Sequence, residues 1–145
     1  MSRSPRKLAC ALGAFACVAC APCTFGVLQA PEDPCVLAEF SAALREWDFV
    51  IGYRRSIDFV FRPAAHNTPA TTLAITRCTS SHRVIEVYVD RVACEYVRGV
   101  VLHELVHAHA TCSDADHTDT GLMADPWQGI SYLDPAIVTV LGSGG

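Results

Sequence analysis

The chain has 145 residues, of which 51% are hydrophobic and 18% are charged, and its formal net charge is −4. This length allows one domain, and the composition is that of a globular protein, which excludes a disordered chain. The acidic balance indicates no basic surface for nucleic acid, so we expect no nucleic-acid partner.

Residues 1–30 have the pattern of a targeting segment. Three basic residues precede an unbroken run of small and apolar residues, Leu8–Ala21, which suits a signal peptide and is short for a membrane span. The stretch Val18–Cys20 resembles the lipidation signal of bacterial lipoproteins, in which the cysteine carries the lipid. We predict a signal peptide or a lipoprotein leader over 1–30, with an uncleaved anchor over Leu8–Ala30 as the alternative.

The first predicted element of the remaining domain, residues 31–145, is a helix that begins at Pro34. Asp33 is a favourable N-cap, proline fits the first helical position, and Gly52 is a suitable stop. Apolar residues at spacings of three and four form one stripe, which we expect to pack in the core. The stripe consists of Leu37, Phe40, Leu44, Trp47 and Ile51.

Three strands and two further helices follow in the pattern of the sequence. Alternating or β-branched residues predict strands over Ser56–Phe61, Ala70–Arg77 and Arg83–Asp90. Apolar residues predict a long helix from Cys94 to about Ala110 and a short terminal helix over Ile130–Leu141. The predicted fold class is α+β, with a mixed sheet of three to four strands, an N-terminal helix, a central helix and a short C-terminal helix.

Four cysteines of this domain would pair, because export places them in an oxidising compartment. Three pairings are open. A helix from Cys94 would hold it roughly 25 Å from Cys112, farther than the ~7 Å between Cα atoms that a disulfide spans. Cys78 lies at the turn between the last two predicted strands. The second of these strands runs away from the turn to Asp90, and the helix then runs back. This path brings Cys112 near Cys78 and leaves Cys35 for Cys94. We predict these two disulfides, with Cys112 as a zinc ligand as the alternative.

The long helix contains an HExxH motif, His103–His107. Residues four apart lie on one face of a helix, so both histidines can bind one zinc ion. Glu104 then has the usual place of a general base towards a zinc-activated water. The surrounding helix is mostly apolar, and buried polar groups there need partners. This context favours a metal site over a structural histidine pair.

A catalytic zinc site of this kind needs a third protein ligand. His109 is close in sequence, but two residues past His107 is about 200° around the helix, so it points away from the metal. His117 follows a polar stretch typical of a loop, which lets the chain turn back. We predict His117 as the third ligand, and Asp114 or Asp116 as the alternative.

The HExxH motif, the later His117 and the run Thr120–Met123 together resemble the metzincin zinc metallopeptidases, over Tyr88–Pro126. The resemblance implies a small zincin domain in which Met123 lies in a methionine-containing turn. This methionine would form the apolar floor beneath the zinc without binding it. An edge strand just before the helix would bind the peptide by extending the sheet, and either of the last two strands could serve.

The sequence departs from the metzincin pattern at two positions. Ala110 and Ser113 stand where the family has a glycine and its third histidine, so His117 comes four residues late. Without a glycine to end the helix, we expect the helix to continue for another turn past Ala110.

These observations predict a small exported zinc metallopeptidase, either secreted or lipid-anchored through Cys20 in a bacterial cell envelope. His103, His107 and His117 would bind one Zn²⁺ per chain, and Glu104 would be the general base in hydrolysis of peptide bonds. We expect a monomer that acts on a peptide or protein substrate, whose identity the sequence does not give. The alternatives are a non-catalytic zinc-binding envelope lipoprotein and a metal-free protein with core histidines.

Overall fold

A computed structural model describes residues 25–52, 56–109, 112, 117–118, 120–125 and 127–142. Within these ranges it contains a four-stranded mixed sheet and three helices, which confirms the predicted α+β class. The elements in chain order are β1 (Phe25–Gln29), α1 (Pro34–Val50), β2 (Ile57–Arg62), β3 (Ala74–Cys78), β4 (Arg83–Tyr88), α2 (Cys94–His109) and α3 (Pro135–Gly142).

The strands lie in the order β1-β2-β4-β3. Strand β2 is parallel to both of its neighbours, whereas β3 runs antiparallel to β4 and forms one edge of the sheet. Of the two strands that the sequence left open as a peptide-binding edge, only β3 is at an edge. Strand β4 is enclosed between β2 and β3.

Strand β1 was not predicted and lies inside the segment assigned to the leader. It pairs in parallel with β2, from Phe25 opposite Ile57 to Gln29 opposite Val60. The folded domain therefore begins no later than Phe25, earlier than the boundary at Pro31. Its five residues continue the apolar composition of the leader, so composition alone does not separate them. Cys20 and the run 8–21 lie outside the described residues.

Helix α1 begins and ends as predicted. The Asp33 carboxylate accepts a hydrogen bond from the Cys35 N–H at 2.8 Å, and Gly52 has a φ of 66°, which suits glycine. The buried face of α1 is rotated from the predicted stripe: Leu37, which we expected in the core, is 38% exposed. The buried residues of α1 are Val36, Phe40, Ala43 and Trp47. The predicted stripe did not include the small residue Ala43.

The core lies between one face of the sheet and the helices α1 and α2. Alternate residues of β2, Ile57, Phe59 and Phe61, are buried on this face. The Phe40 ring meets the Phe59 and Phe61 rings edge-on, at centroid distances of 4.8 and 4.9 Å. Helix α2 is buried along most of its length, which fixes its position relative to β3.

Both predicted disulfides are present. Cys35–Cys94 joins the starts of α1 and α2, and Cys78–Cys112 joins the end of β3 to the chain after α2. The expected extra turn of α2 is wrong. Cys112 has a φ of 56°, a value that a right-handed helix excludes, and its N–H bonds to the His107 carbonyl at 3.1 Å.

Two predicted elements begin later than expected. Strand β3 begins at Ala74, since the residues before it form a turn whose carbonyl oxygens accept hydrogen bonds from Arg91. Helix α3 begins at Pro135, because the preceding segment packs on α2 without forming a helix. A Cβ atom on Gly99 would lie 2.2 Å from the Ile130 carbonyl oxygen, so only glycine permits this close approach. None of the helices described is long and apolar enough to cross a membrane.

Candidate metal centre

The three predicted histidine ligands lie together. The Nε2 atoms of His103, His107 and His117 are 3.1 to 3.2 Å from one another. The ring centroids are farther apart, at 4.7 to 5.2 Å, so each ring directs its Nε2 towards the other two. This group could hold a metal ion. Among the described residues, this is the group of three His, Cys, Asp or Glu side chains whose ligand atoms all lie within 4.8 Å of one another.

Helix α2 and one turn place these rings. The helical spacing of four puts His103 and His107 on the same face, as predicted. The main-chain carbonyl of Leu122 accepts a hydrogen bond from His103 Nδ1 at 2.8 Å. This contact leaves the His103 Nε2 lone pair directed at the other histidines. A backbone carbonyl behind a metal-binding histidine commonly fixes the ring in this way.

The turn that carries Leu122 is closed by its own main chain. Thr118 N–H donates to the Met123 carbonyl at 2.8 Å, and Asp125 N–H donates to the Thr118 carbonyl at 3.1 Å. Met123 itself is completely buried. Its place beneath a metal stays a prediction. The turn keeps His117, which directly precedes Thr118, close to the helix.

The protonation of His103 suits metal binding. The pKa of His103 is lowered to about 4, chiefly by burial, with smaller lowering by His107 and His117, against the opposing effects of the Leu122 carbonyl and Asp125. The ring is therefore neutral near pH 7. Neutral imidazole is the form whose nitrogen binds a metal.

Glu104 lies beside the histidines and is buried, with 7% of the residue exposed. Its carboxylate oxygen Oε2 is 2.6 Å from the hydroxyl oxygen of Thr76 on β3. The sequence predicted the role of Glu104 but not this partner. A threonine in a strand rich in β-branched residues gives no signal of its own in the sequence. The packing of β3 against α2 brings Thr76 and Glu104 together.

The remaining candidates, and the two histidines that precede α2, are placed elsewhere. His109 packs against Trp47, with ring centroids 5.8 Å apart, which confirms that it points away from the histidine group. His66 is exposed in a loop, and His82 lies 3.2 Å from Asp58. The Cys112 sulfur is bonded to Cys78, so it offers no thiolate to a metal. Asp114 and Asp116 lie outside the described residues.

A cleft of about 490 Å³ opens onto the histidine group. One wall is the edge of the sheet, from Thr71 to Thr76, and the other includes Val100, Asp125 and Trp127. The floor contains the three histidines and Glu104. The edge strand β3, the Glu104 carboxylate and the potential metal site therefore all line the same cleft.

Sequence reasoning also missed Asp134, which supports the site from behind. Its carboxylate accepts a hydrogen bond from Leu122 N–H at 3.2 Å and one from Ile137 N–H at 3.0 Å, at the start of α3. Asp134 thus holds the peptide segment whose carbonyl orients His103. The signal available in the sequence was an aspartate directly before Pro135, a common helix start.

Comparisons with protein-family models, with curated proteins and with solved structures found no match to this chain. The site is therefore interpreted from its own geometry and chemistry.

Proposed function

We propose that this protein is an exported zinc metallopeptidase of the type that the sequence predicted. The observation that carries the proposal is the convergence of three imidazole nitrogens, 3.1 to 3.2 Å apart, beside a buried glutamate in an open cleft. The two disulfides fit a protein exported from the cytosol, where thiols are kept reduced.

The histidine group fits zinc better than it fits a hydrogen-bonded cluster. Tetrahedral zinc with Zn–N bonds of 2.0–2.1 Å holds its nitrogen ligands about 3.3 Å apart, close to the spacing of these Nε2 atoms. A hydrogen bond between two of them would need an N–H directed at its neighbour, but an imidazole N–H lies along the ring plane, towards the common centre. Three histidines are also a typical catalytic zinc ligand set.

The chemistry would divide between the metal and Glu104. Zinc supplies Lewis acidity and lowers the pKa of water to about 7. Glu104 accepts the proton of the attacking water as general base and then donates it to the amine nitrogen of the leaving group. His103, His107 and His117 hold the metal, and the Leu122 carbonyl keeps His103 in the required tautomer.

Strand β3 suits a peptide substrate. Tyr88 N–H bonds to the Leu73 carbonyl at 3.0 Å, which identifies a hydrogen-bonded pair of the antiparallel ladder. Bonding alternates along such a ladder, so Leu73 and Ile75 face β4, whereas Ala74 and Thr76 turn their main-chain groups to the open edge. An extended peptide could bond there as an added strand, next to the histidine group.

The decisive experiment measures metal and hydrolysis together. A soluble form containing residues from Phe25 onward, loaded with zinc, is expected to hold about one zinc per chain and to cleave an unstructured protein such as casein. His117→Ala should lose the zinc. His66→Ala, a histidine exposed in a loop, is the control and should keep both properties.

Three outcomes would separate the alternatives. Zinc bound by the wild type without hydrolysis of any peptide mixture would favour a zinc-binding envelope lipoprotein over an enzyme. Zinc kept by His117→Ala would contradict the three-histidine site. No zinc in the wild type would favour histidines that serve only the core.

A further inference from the structure

The hydroxyl of Thr76 contacts the glutamate side chain that the proposed function uses. The Thr76 hydroxyl oxygen lies 2.6 Å from Glu104 Oε2 and 3.1 Å from the Glu104 main-chain oxygen. A hydroxyl has a single proton to donate. The contact with Oε2 is the shorter of the two, so Oε2 receives the proton.

The backbone of Thr76 is held on several sides. Its strand pairs with β4, with Thr76 opposite Ile85, and Cys78, two residues further on the same face, is bonded to Cys112. A β-branched side chain also has restricted χ1 rotation. The hydroxyl is therefore presented to Glu104 from a fixed point on the sheet edge.

We propose that Thr76 is the positioning residue of the general base. Its hydroxyl holds the Glu104 carboxylate in one orientation at the floor of the cleft, while its main-chain N–H and C=O are available to a docked peptide. One residue thereby connects the strand that receives the peptide to the group that transfers the proton. This inference rests on the proposed peptidase function and assigns to it a residue that the HExxH motif does not contain.

The kinetic test compares Thr76→Val with Thr76→Ser. Valine keeps the shape but removes the hydroxyl, so we expect kcat to fall about 10- to 100-fold, the scale of a misplaced catalytic group, with KM changed less than about twofold. Serine restores the hydroxyl and should recover most of kcat. Zinc content should equal that of the wild type in both variants.

A matched control is Thr139→Val, which removes a threonine hydroxyl bonded to a main-chain carbonyl, Pro135 at 2.8 Å, on α3. It should leave kcat unchanged. If the valine at 76 prevents folding, Thr76→Ala compared with Thr76→Ser gives the same contrast.

A second measurement needs no enzymatic activity and no metal. In chelator, the urea midpoints of wild type, Thr76→Val, Glu104→Ala and the double variant form a double-mutant cycle. We expect the valine to lower the midpoint with Glu104 present, and by less than half as much with alanine at 104. The remaining loss reflects the hydrogen bond that the Thr76 hydroxyl can donate to the main-chain oxygen of residue 104 once the carboxylate is removed.

The outcomes distinguish this inference from the function on which it rests. A Thr76→Val variant with wild-type kcat, or equal midpoint shifts in the two backgrounds, would overturn the role of Thr76 and leave the peptidase proposal intact. A zinc-loaded wild type without hydrolysis would overturn both.

Discussion

Two buried glutamates on opposite faces of the sheet differ in what surrounds them. Glu86 is 8% exposed and Glu104 is 7% exposed, so burial does not separate them. Glu86 lies among cations, with Arg62 at 2.6 Å and Arg77 at 3.2 Å, and the Tyr88 hydroxyl is 3.4 Å away. Glu104 lies among three histidines whose nitrogens converge, with the hydroxyl of Thr76 as its close hydrogen-bond donor.

The difference indicates which of the two carboxylates is the better candidate for a role in chemistry. The charge of Glu86 is neutralised by two arginines of neighbouring strands, so this cluster needs no additional ion. The site of Glu104 brings three imidazole nitrogens together in a largely buried place, which is costly unless a cation binds between them. A cluster that an external ion would complete, and that opens to a cleft, is the better candidate for function.

The largest expected effect contrasts these two glutamates directly. Glu104→Gln should reduce peptide hydrolysis about 100- to 10,000-fold, the usual contribution of general acid–base catalysis, while zinc content stays at the wild-type level. Glu86→Gln, which makes the same chemical change in the other cluster, should leave hydrolysis within about twofold. Hydrolysis that survives Glu104→Gln would reject the proposed mechanism.

The two disulfides provide the next contrast. Replacing either pair by serines should lower the free energy of unfolding by about 2–4 kcal/mol, as urea titration would measure. Only the loss of Cys78–Cys112 should also weaken zinc binding, because this bond fixes the chain between His107 and His117. Equal zinc affinity in the two double variants, measured by chelator competition, would show that His117 needs no such restraint.

Asp134 should have a smaller effect, which includes metal affinity as well as the stability of the start of α3. Asp134→Ala removes the acceptor for Leu122 N–H, so the carbonyl that orients His103 loses its support. We expect zinc affinity to fall about 10-fold, at the lower end for residues behind a metal ligand. Asp33→Ala, at the start of α1, removes a comparable helix cap and should cost about 1 kcal/mol of stability without changing zinc affinity.

The smallest effect concerns pH and the cluster of Glu86. Burial alone would raise the pKa of Glu86, but the hydrogen bonds and charges of Arg62 and Arg77 outweigh it and hold the pKa below its ordinary value of 4.5. A lowered pKa in the folded state means that the unfolded chain binds the proton more tightly. The stabilisation is therefore complete above pH 4.5 and is lost as the pH falls through the lower folded value.

Glu86→Gln should accordingly reduce stability at pH 7 by about 1 kcal/mol, a small amount because both guanidinium groups are largely in solvent. The difference from wild type should shrink as the pH is lowered below 4.5. Urea titrations over this pH range would measure it, with Glu32→Gln as an exposed control. A difference that stays constant through this range would contradict the role of the arginines.

The elements that local rules govern could be predicted from the sequence. The capped start of α1, the start of α2 at Cys94 and the spacing of His103 and His107 depend on neighbouring residues, and all agree with the structure. The place of His117 depends on a loop, and its prediction needed the assumption that the chain turns back. Both disulfides followed from the distance that a helix spans, together with the place of Cys78 at the turn between the last two strands.

The features that the sequence analysis missed depend on contacts between residues that are distant in sequence. Strand β1 shares the apolar composition of the leader, and only its pairing with β2 defines it. The contact between Thr76 and Glu104 spans 28 residues, and that between Asp134 and Leu122 follows from the path of the C-terminal segment. No spacing rule connects a strand threonine to a helix glutamate before the topology is known.

The position of β1 bears on how the protein would be held in an envelope. If Cys20 carries a lipid, the five residues to Phe25 span at most about 17 Å, so the folded body would be kept close to the bilayer surface. Strands β1 and β3 are at opposite edges of the sheet, about 14 Å apart across three strand spacings. A tether at β1 would thus be attached at the edge away from the cleft, leaving β3 accessible to extended chains that pass along the membrane.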